Sequence, residues 1–192
     1  MPSLQPETFL FVAPGLLHRL GNVFLSIQGN AHLLRGASDD RGCTAILEAA
    51  ARGADALETC RFLLGEVETT LLPVGRVIEP LGEILRIPVR GTGHGLQVQP
   101  PVGVDGLVDA SAVAIQTTEA VRRLACLVPE GQRGTITVAA EAEPPHTIVV
   151  AVGFEPDPGC LPFPLPAAAL AAEGGRIVLR FAAQRPPGRR EA

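Results

Sequence analysis

His18 is the residue in this 192-residue chain whose setting is suited to chemistry. Leu16, Leu20, Val23, Ile27, Asn30 and Leu34 recur with 4-3-4-3-4 spacing, the apolar seam of a helix packed on other helices. At about 100° per residue, His18 lies roughly 200° from Leu16 and faces away from that seam. Gly21, Asn22, Leu25 and Gly29 share its face. Two glycines, each costing a helix about 1 kcal/mol against alanine, leave the imidazole approachable by something large. Asn22, one turn on, offers an amide to orient the ring or a water. A plain surface histidine is the alternative that this pattern must outweigh. The other histidines lack such a setting. His32 lies on nearly the same face but close to the helix end, and His146 sits in an exposed proline turn. His94, between glycines, reads as a solvated loop residue.

His18, Leu20, Asn22 and the apolar run through Gly29-Asn30-Ala31 to Leu33-Leu34 resemble the H-box of bacterial sensor histidine kinases. That box reads roughly H-[DE]-L-x-N and often ends GNAELL. The resemblance implies a dimerisation and phosphotransfer helix, with His18 as phosphoacceptor through a ring nitrogen. Arg19 departs from it. The family usually has an acid there, thought to act as base when ATP is the donor.

Composition narrows the classes. All 16 basic residues are arginine, so a P-loop, a protein-kinase lysine and a Schiff-base enzyme are excluded. With net charge −4 and no basic stripe, nucleic acid is not an expected partner. Cys43, Cys60, Cys126 and Cys160 are widely spaced, without a C-x-x-C pair or a matching histidine cluster, so no metal site is expected. Cys43 and Cys60 fall on an apolar seam and read as reduced core thiols. No apolar run approaches the roughly 18 residues of a membrane span, and residues 1–13 read as a short packing helix or arm. A cytoplasmic protein is expected.

The elements that position His18 follow. Asp39 and Asp40 are helix-capping residues in a turn. A second helix is predicted from about Arg41 to Val67, with Cys43, Ile46, Ala50, Gly53, Leu57, Cys60, Leu64 and Val67 as its seam. One such hairpin has little to bury against, whereas two make a four-helix bundle, so a homodimer is expected. Beyond Pro73 the pattern predicts a helix over 77–87, a flexible loop over 91–95, a strand at 96–99 and a helix over 109–128. Strands over 134–141 and 147–154, a short helix over 166–173 and a strand over 176–183 complete the order. The fold class is α+β: a helical hairpin over residues 1–70, forming a dimeric four-helix bundle, then a two-layer α/β sandwich over 71–184. Residues 185–192, rich in proline and arginine, read as a flexible tail.

The order of the second half is similar to the ATP-binding domain of histidine kinases. Arg123–Val138, RLACLVPEGQRGTITV, is the best local match to a family pattern N-A-x-D-A-M-P-E-G-G-x-I-x-V. Aligning Pro129-Glu130-Gly131 puts Arg123 at the magnesium-binding asparagine and Glu119 at the other N-box asparagine. A guanidinium cannot ligate magnesium. Asp157-Pro-Gly159 follows its strand out of register, and about ten residues are left for the glycine-rich lid. The domain therefore resembles a degenerate one that binds no ATP.

Such a chain looks like a bacterial histidine phosphotransferase that relays phosphoryl groups to or from response-regulator receiver domains. No cofactor of its own is expected, because the receiver would supply magnesium and its acidic pocket. His18 would attack in line through Nε2, and Asn22 would orient groups around it. The receiver's surface helix would dock beside Arg19, Gly21, Leu25 and Gly29. A sensor kinase is a further candidate partner. The rival readings are an active ATP-dependent histidine kinase with divergent motifs, and a non-catalytic scaffold that binds a kinase or regulator.

Overall fold

A computed structural model describes residues 4–34, 40–65, 70–129, 131–158, 172–173 and 176–184. The chain opens with two long helices, α1 (Pro6–Leu34) and α2 (Asp40–Leu64), which pack side by side. The segment expected as a short packing helix or arm is the start of α1, where Val12 is fully buried. The helix continues through Pro14. By length and composition, Pro6–Leu33 is also apolar enough to cross a membrane, contrary to the expectation that no segment of the chain is. In the fold it is a packing helix, with Val12, Leu16 and Val23 buried.

The face that α2 buries differs from the expected seam. Ala49, Gly53, Ala56, Phe62 and Leu63 are buried, while Cys43, Ala50, Leu57 and Leu64 are exposed. Small residues explain the rotation. A Cβ on Gly53 would lie 2.9 Å from Val23 Cγ1, so the alanine-glycine row lets the two helices approach closely. Cys43 is therefore not a core thiol, and Cys60 is only half-buried.

After α2 come β1 (Leu71–Pro73), α3 (Val74–Gly91), β2 (Gly95–Val98), β3 (Leu107–Asp109) and α4 (Ala110–Leu127). The strands β4 (Gly134–Glu143), β5 (Thr147–Pro156), β6 (Ala172–Glu173) and β7 (Arg176–Ala182) follow. The predicted helix over 77–87 is longer at both ends and contains Pro80 and Pro88. Asp109 caps α4 by accepting a 3.0 Å hydrogen bond from the Ala112 amide. The short helix expected over 166–173 lies outside the described residues except at Ala172–Glu173, which are strand β6. The turn around 36–39, Cys160, Gly159 and the tail from 185 also lie outside them.

The main sheet has the order β2-β4-β5-β7-β6, with β2 parallel to β4 and the remaining pairs antiparallel. Strands β1 and β3 form a separate antiparallel pair. Alternation places Ile136, Val138 and Ala140 of β4 and Ile148, Val150 and Val152 of β5 in one core with α3 and α4. Helices α1 and α2 pack on α3 and α4 and add Val12, Leu16, Phe62 and Leu63 to that core. The architecture is α+β, with four helices and a mixed sheet among the described residues.

Candidate functional site

His18 projects from α1 into solvent, while its near neighbours Leu16 and Val23 are buried. One turn along, Asn22 Nδ2 lies 3.0 Å from His18 Nε2. An amide nitrogen can only donate, so Nε2 accepts and the ring proton sits on Nδ1. The lone pair on Nε2, the ring nitrogen farther from the helix, is therefore engaged by the Asn22 amide, on an imidazole that is itself exposed.

Of the remaining predicted groove residues, Gly21 and Gly29 have open space where a Cβ would stand, with no atom within 4 Å. Leu25 is exposed between them. Arg19 sits apart. Its guanidinium is turned onto α3, where Nη1 lies 3.5 Å from Glu83 Oε2. Glu83 also pairs with Arg86 at 3.1 Å. The position that carries an acid in the resembled box here braces α1 against α3.

That brace closes one side of an open cleft of about 330 Å³, lined by His18, Arg19, Asn22, Arg52, Glu83, Arg86 and Arg90 among others. Its walls come from α1, α2 and α3. No local spacing in the sequence connects these arginines, which come together only through the packing of three helices.

At the positions aligned with the N-box, the two side chains hold each other. Arg123 Nε donates to Glu119 Oε1 at 2.6 Å, and Arg122 donates to both Glu119 oxygens at 2.9 and 3.1 Å. Thr8 Oγ1, from α1, donates to Glu119 Oε2 as well. These bonds, led by Arg122, hold the Glu119 carboxyl down at about 2 despite its partial burial.

His94 is not the solvated loop residue expected from its glycine neighbours. It is buried, with its ring edge-on to Phe154 at 5.5 Å. The loop around it is wound tightly onto the end of α3: Thr92 Oγ1 donates to the Val89 carbonyl at 2.7 Å, and the His94 amide donates to the same oxygen at 3.3 Å. Gly93, at φ +88°, makes that turn. His32 and His146 are exposed.

No protein-family model matches the chain, and no curated protein matches it. Among solved structures, it is similar to a bacterial phosphotransferase at 16% identity, over 95% of this chain and 98% of that one, with a TM-score of 0.37. It is also similar to a histidine kinase from Burkholderia phymatum STM815 at 14% identity, over 95% of this chain and 100% of that one, with a TM-score of 0.39.

Proposed function

We propose that this chain is a histidine phosphotransfer protein that exchanges phosphoryl groups with response-regulator receiver domains, in the cytoplasm and as a homodimer. The observation that carries this reading is the His18–Asn22 pair. A solvent-facing imidazole has its Nε2 lone pair set by an amide one turn away, on a helix face that Gly21 and Gly29 leave open.

In the proposed step, Nε2 attacks the phosphorus of the receiver's aspartyl phosphate in line. The phosphorus–carboxylate bond breaks, and the aspartate leaves with the electron pair. Asn22 must release Nε2 as phosphorus approaches, and its amide is then free to donate to a phosphoryl oxygen. The receiver supplies magnesium and its acidic pocket, so this chain needs no metal of its own. With Arg19 in place of the usual acid, the residue next to His18 offers no carboxylate to take the Nδ1 proton. The nitrogen–phosphorus bond so formed can be attacked in turn by a receiver aspartate, with Nε2 taking back the electron pair. Relay in both directions is therefore proposed.

ATP-dependent kinase activity is the weaker reading. Glu119 and Arg123 engage each other, and a guanidinium offers nothing to magnesium. Dimerisation is supported by the apolar residues that the single chain leaves uncovered on α1 and α2, among them Leu10, Leu17, Phe24, Leu47 and Leu57. A second copy of the hairpin would cover them in a four-helix bundle.

The test is incubation with a panel of radiolabelled phospho-receivers. The expected result is acid-labile, base-stable label on the wild type and none on His18→Ala, with unchanged circular dichroism. Asn22→Ala should still accept label but alter the rate at which it is lost. Label that persists in His18→Ala would place the acceptor elsewhere. If no receiver labels the wild type, the scaffold reading takes over.

A further inference from the structure

We propose that the cleft between α1, α2 and α3 is a seat for the phosphoryl dianion carried by His18, with Arg52, Arg86 and Arg90 as its cationic walls. This rests on the reading of His18 as a phosphoacceptor and adds to it a role for α3, an element outside the hairpin.

The first ground is charge. Four guanidinium groups and one carboxylate, Glu83, line a single cleft that opens beside His18, on a chain whose net charge is −4. Glu83 is already shared between Arg86 at 3.1 Å and Arg19 at 3.5 Å. Among the described residues Arg52 reaches only Glu48, at 4.0 Å. Arg90 has no carboxylate partner among the described residues. Cations gathered around one shared acid repel one another, and an anion seated between them removes that cost.

A second ground is unmet hydrogen bonding. Arg19 Nε is buried and meets no acceptor among the described residues, although most buried donors in proteins are paired. A third is shape: the planar guanidinium fork matches phosphate oxygens two at a time, which suits arginine rather than lysine to this seat. A cleft of about 330 Å³ holds a tetrahedral phosphoryl group with room for the partner's edge. Because Arg52 comes from α2 and Arg86 and Arg90 from α3, the packing of the hairpin on α3 assembles the seat.

Inorganic phosphate is the probe, titrated into the full chain at constant ionic strength while the His18 ring and arginine Nε–H signals are followed by NMR. Saturable shifts are expected in both sets. Arg86→Gln/Arg90→Gln should weaken binding about tenfold or more, the scale of one or two charge-assisted hydrogen bonds. Arg76→Gln, the loss of one positive charge elsewhere on α3, should bind like the wild type, whereas Arg86→Gln and Arg90→Gln should each bind more weakly. His18→Ala should keep most of the affinity, since the arginines supply it. In a second arm, a receiver loads the wild type and the double variant, and the double variant should hold several-fold less phosphohistidine at equilibrium. Arg52→Gln, on a different helix, should act in the same direction.

Shifts that chloride reproduces equally would mean screening alone and would overturn the proposal. So would equal phosphate affinity in the wild type and the folded double variant, or phosphate binding with no change in phosphohistidine yield. If phosphate binds as expected but no receiver labels the protein, His18 is not an acceptor and the seat holds a free anion only, which overturns the phosphoryl assignment. If receivers label the wild type and the double variant alike, phosphotransfer stands and the seat falls.

Discussion

Gly15 of α1 faces the carbonyl of Ile84 on α3, the carbonyl that Pro88 leaves without its helical donor. A methyl group at Gly15 would lie 1.8 Å from that oxygen and 3.1 Å from Pro88 Cδ. Proline lacks the amide that would normally bond the residue four positions earlier. The helix therefore lacks its usual donor to this carbonyl in mid-course, and the smallest residue of α1 closes over it. The two helices that frame the His18 cleft meet at this point.

Gly15→Ala should therefore cost roughly 1–3 kcal/mol or more, because backbone, not a flexible side chain, must give way. Urea unfolding will measure it. Gly29→Ala should do the opposite and stabilise by up to about 1 kcal/mol, since nothing stands within 4 Å of the added methyl. Its cost is expected in receiver docking, read as slower labelling. Destabilisation by Gly29→Ala would mean that this face is not open.

Thr8 and Glu119, 111 residues apart, tie the start of α1 to α4. Because the Glu119 carboxyl is held down at about 2 from an ordinary 4.5, its bonds contribute fully above pH 4.5 and are lost as the pH falls toward 2. Glu119→Gln should lower the melting temperature at neutral pH and flatten the acid limb between those values. ATP with magnesium should leave the wild-type melting temperature unchanged. A bound ligand at 100 times its dissociation constant would add about 2.7 kcal/mol, so a clear rise would restore the kinase reading.

Burial pushes His94 below its ordinary 6.5, and the charge of Asp157 only partly offsets this. Below that pH the unfolded chain binds the proton more readily than the folded one. Stability should therefore be full above 6.5 and decline as the pH falls beneath it. The ring Nδ1 is buried with no partner among the described residues, so His94→Phe removes the titration without opening a cavity. Denaturant midpoints on either side of pH 6.5 should converge in that variant. An unchanged acid slope would assign it to another group.

What was legible in the sequence depended on how local its cause was. Asp109 announces α4 because a cap and an apolar period are both local signals, and the observed helix begins one residue later. The β4–β5 hairpin is similarly local, its alternation running through Ile136 to Val152 around the Pro144-Pro145 turn. The burying face of α2 was misread because alanine and glycine carry little hydrophobic signal, yet here they set the closest approach. Pro88 looked like a helix stop, since its tolerance depends on Gly15, 73 positions away. His94 looked solvated because its cover, Phe154, is remote in sequence. The arginines of the cleft meet only once three helices are packed.

The uncovered hairpin face gives the sharpest test of assembly. Leu10, Leu17 and Phe24 recur every seven residues on α1 and are each about 70% exposed, a costly display unless a second copy covers it. On α2, Leu57 is exposed whereas Leu63, six residues on, is buried at 1%. These two positions separate assembly from folding. Leu57→Glu should convert the expected dimer to a folded monomer, with a change in monomer stability of about 0.5 kcal/mol or less, as for other surface substitutions. Leu63→Glu should unfold the chain, because it places an unpaired charge in the core. Sedimentation and circular dichroism on both variants will distinguish the cases. A wild type that sediments as a monomer at micromolar concentration would refute the dimer, and would leave the apolar face of α1 open to a membrane surface instead.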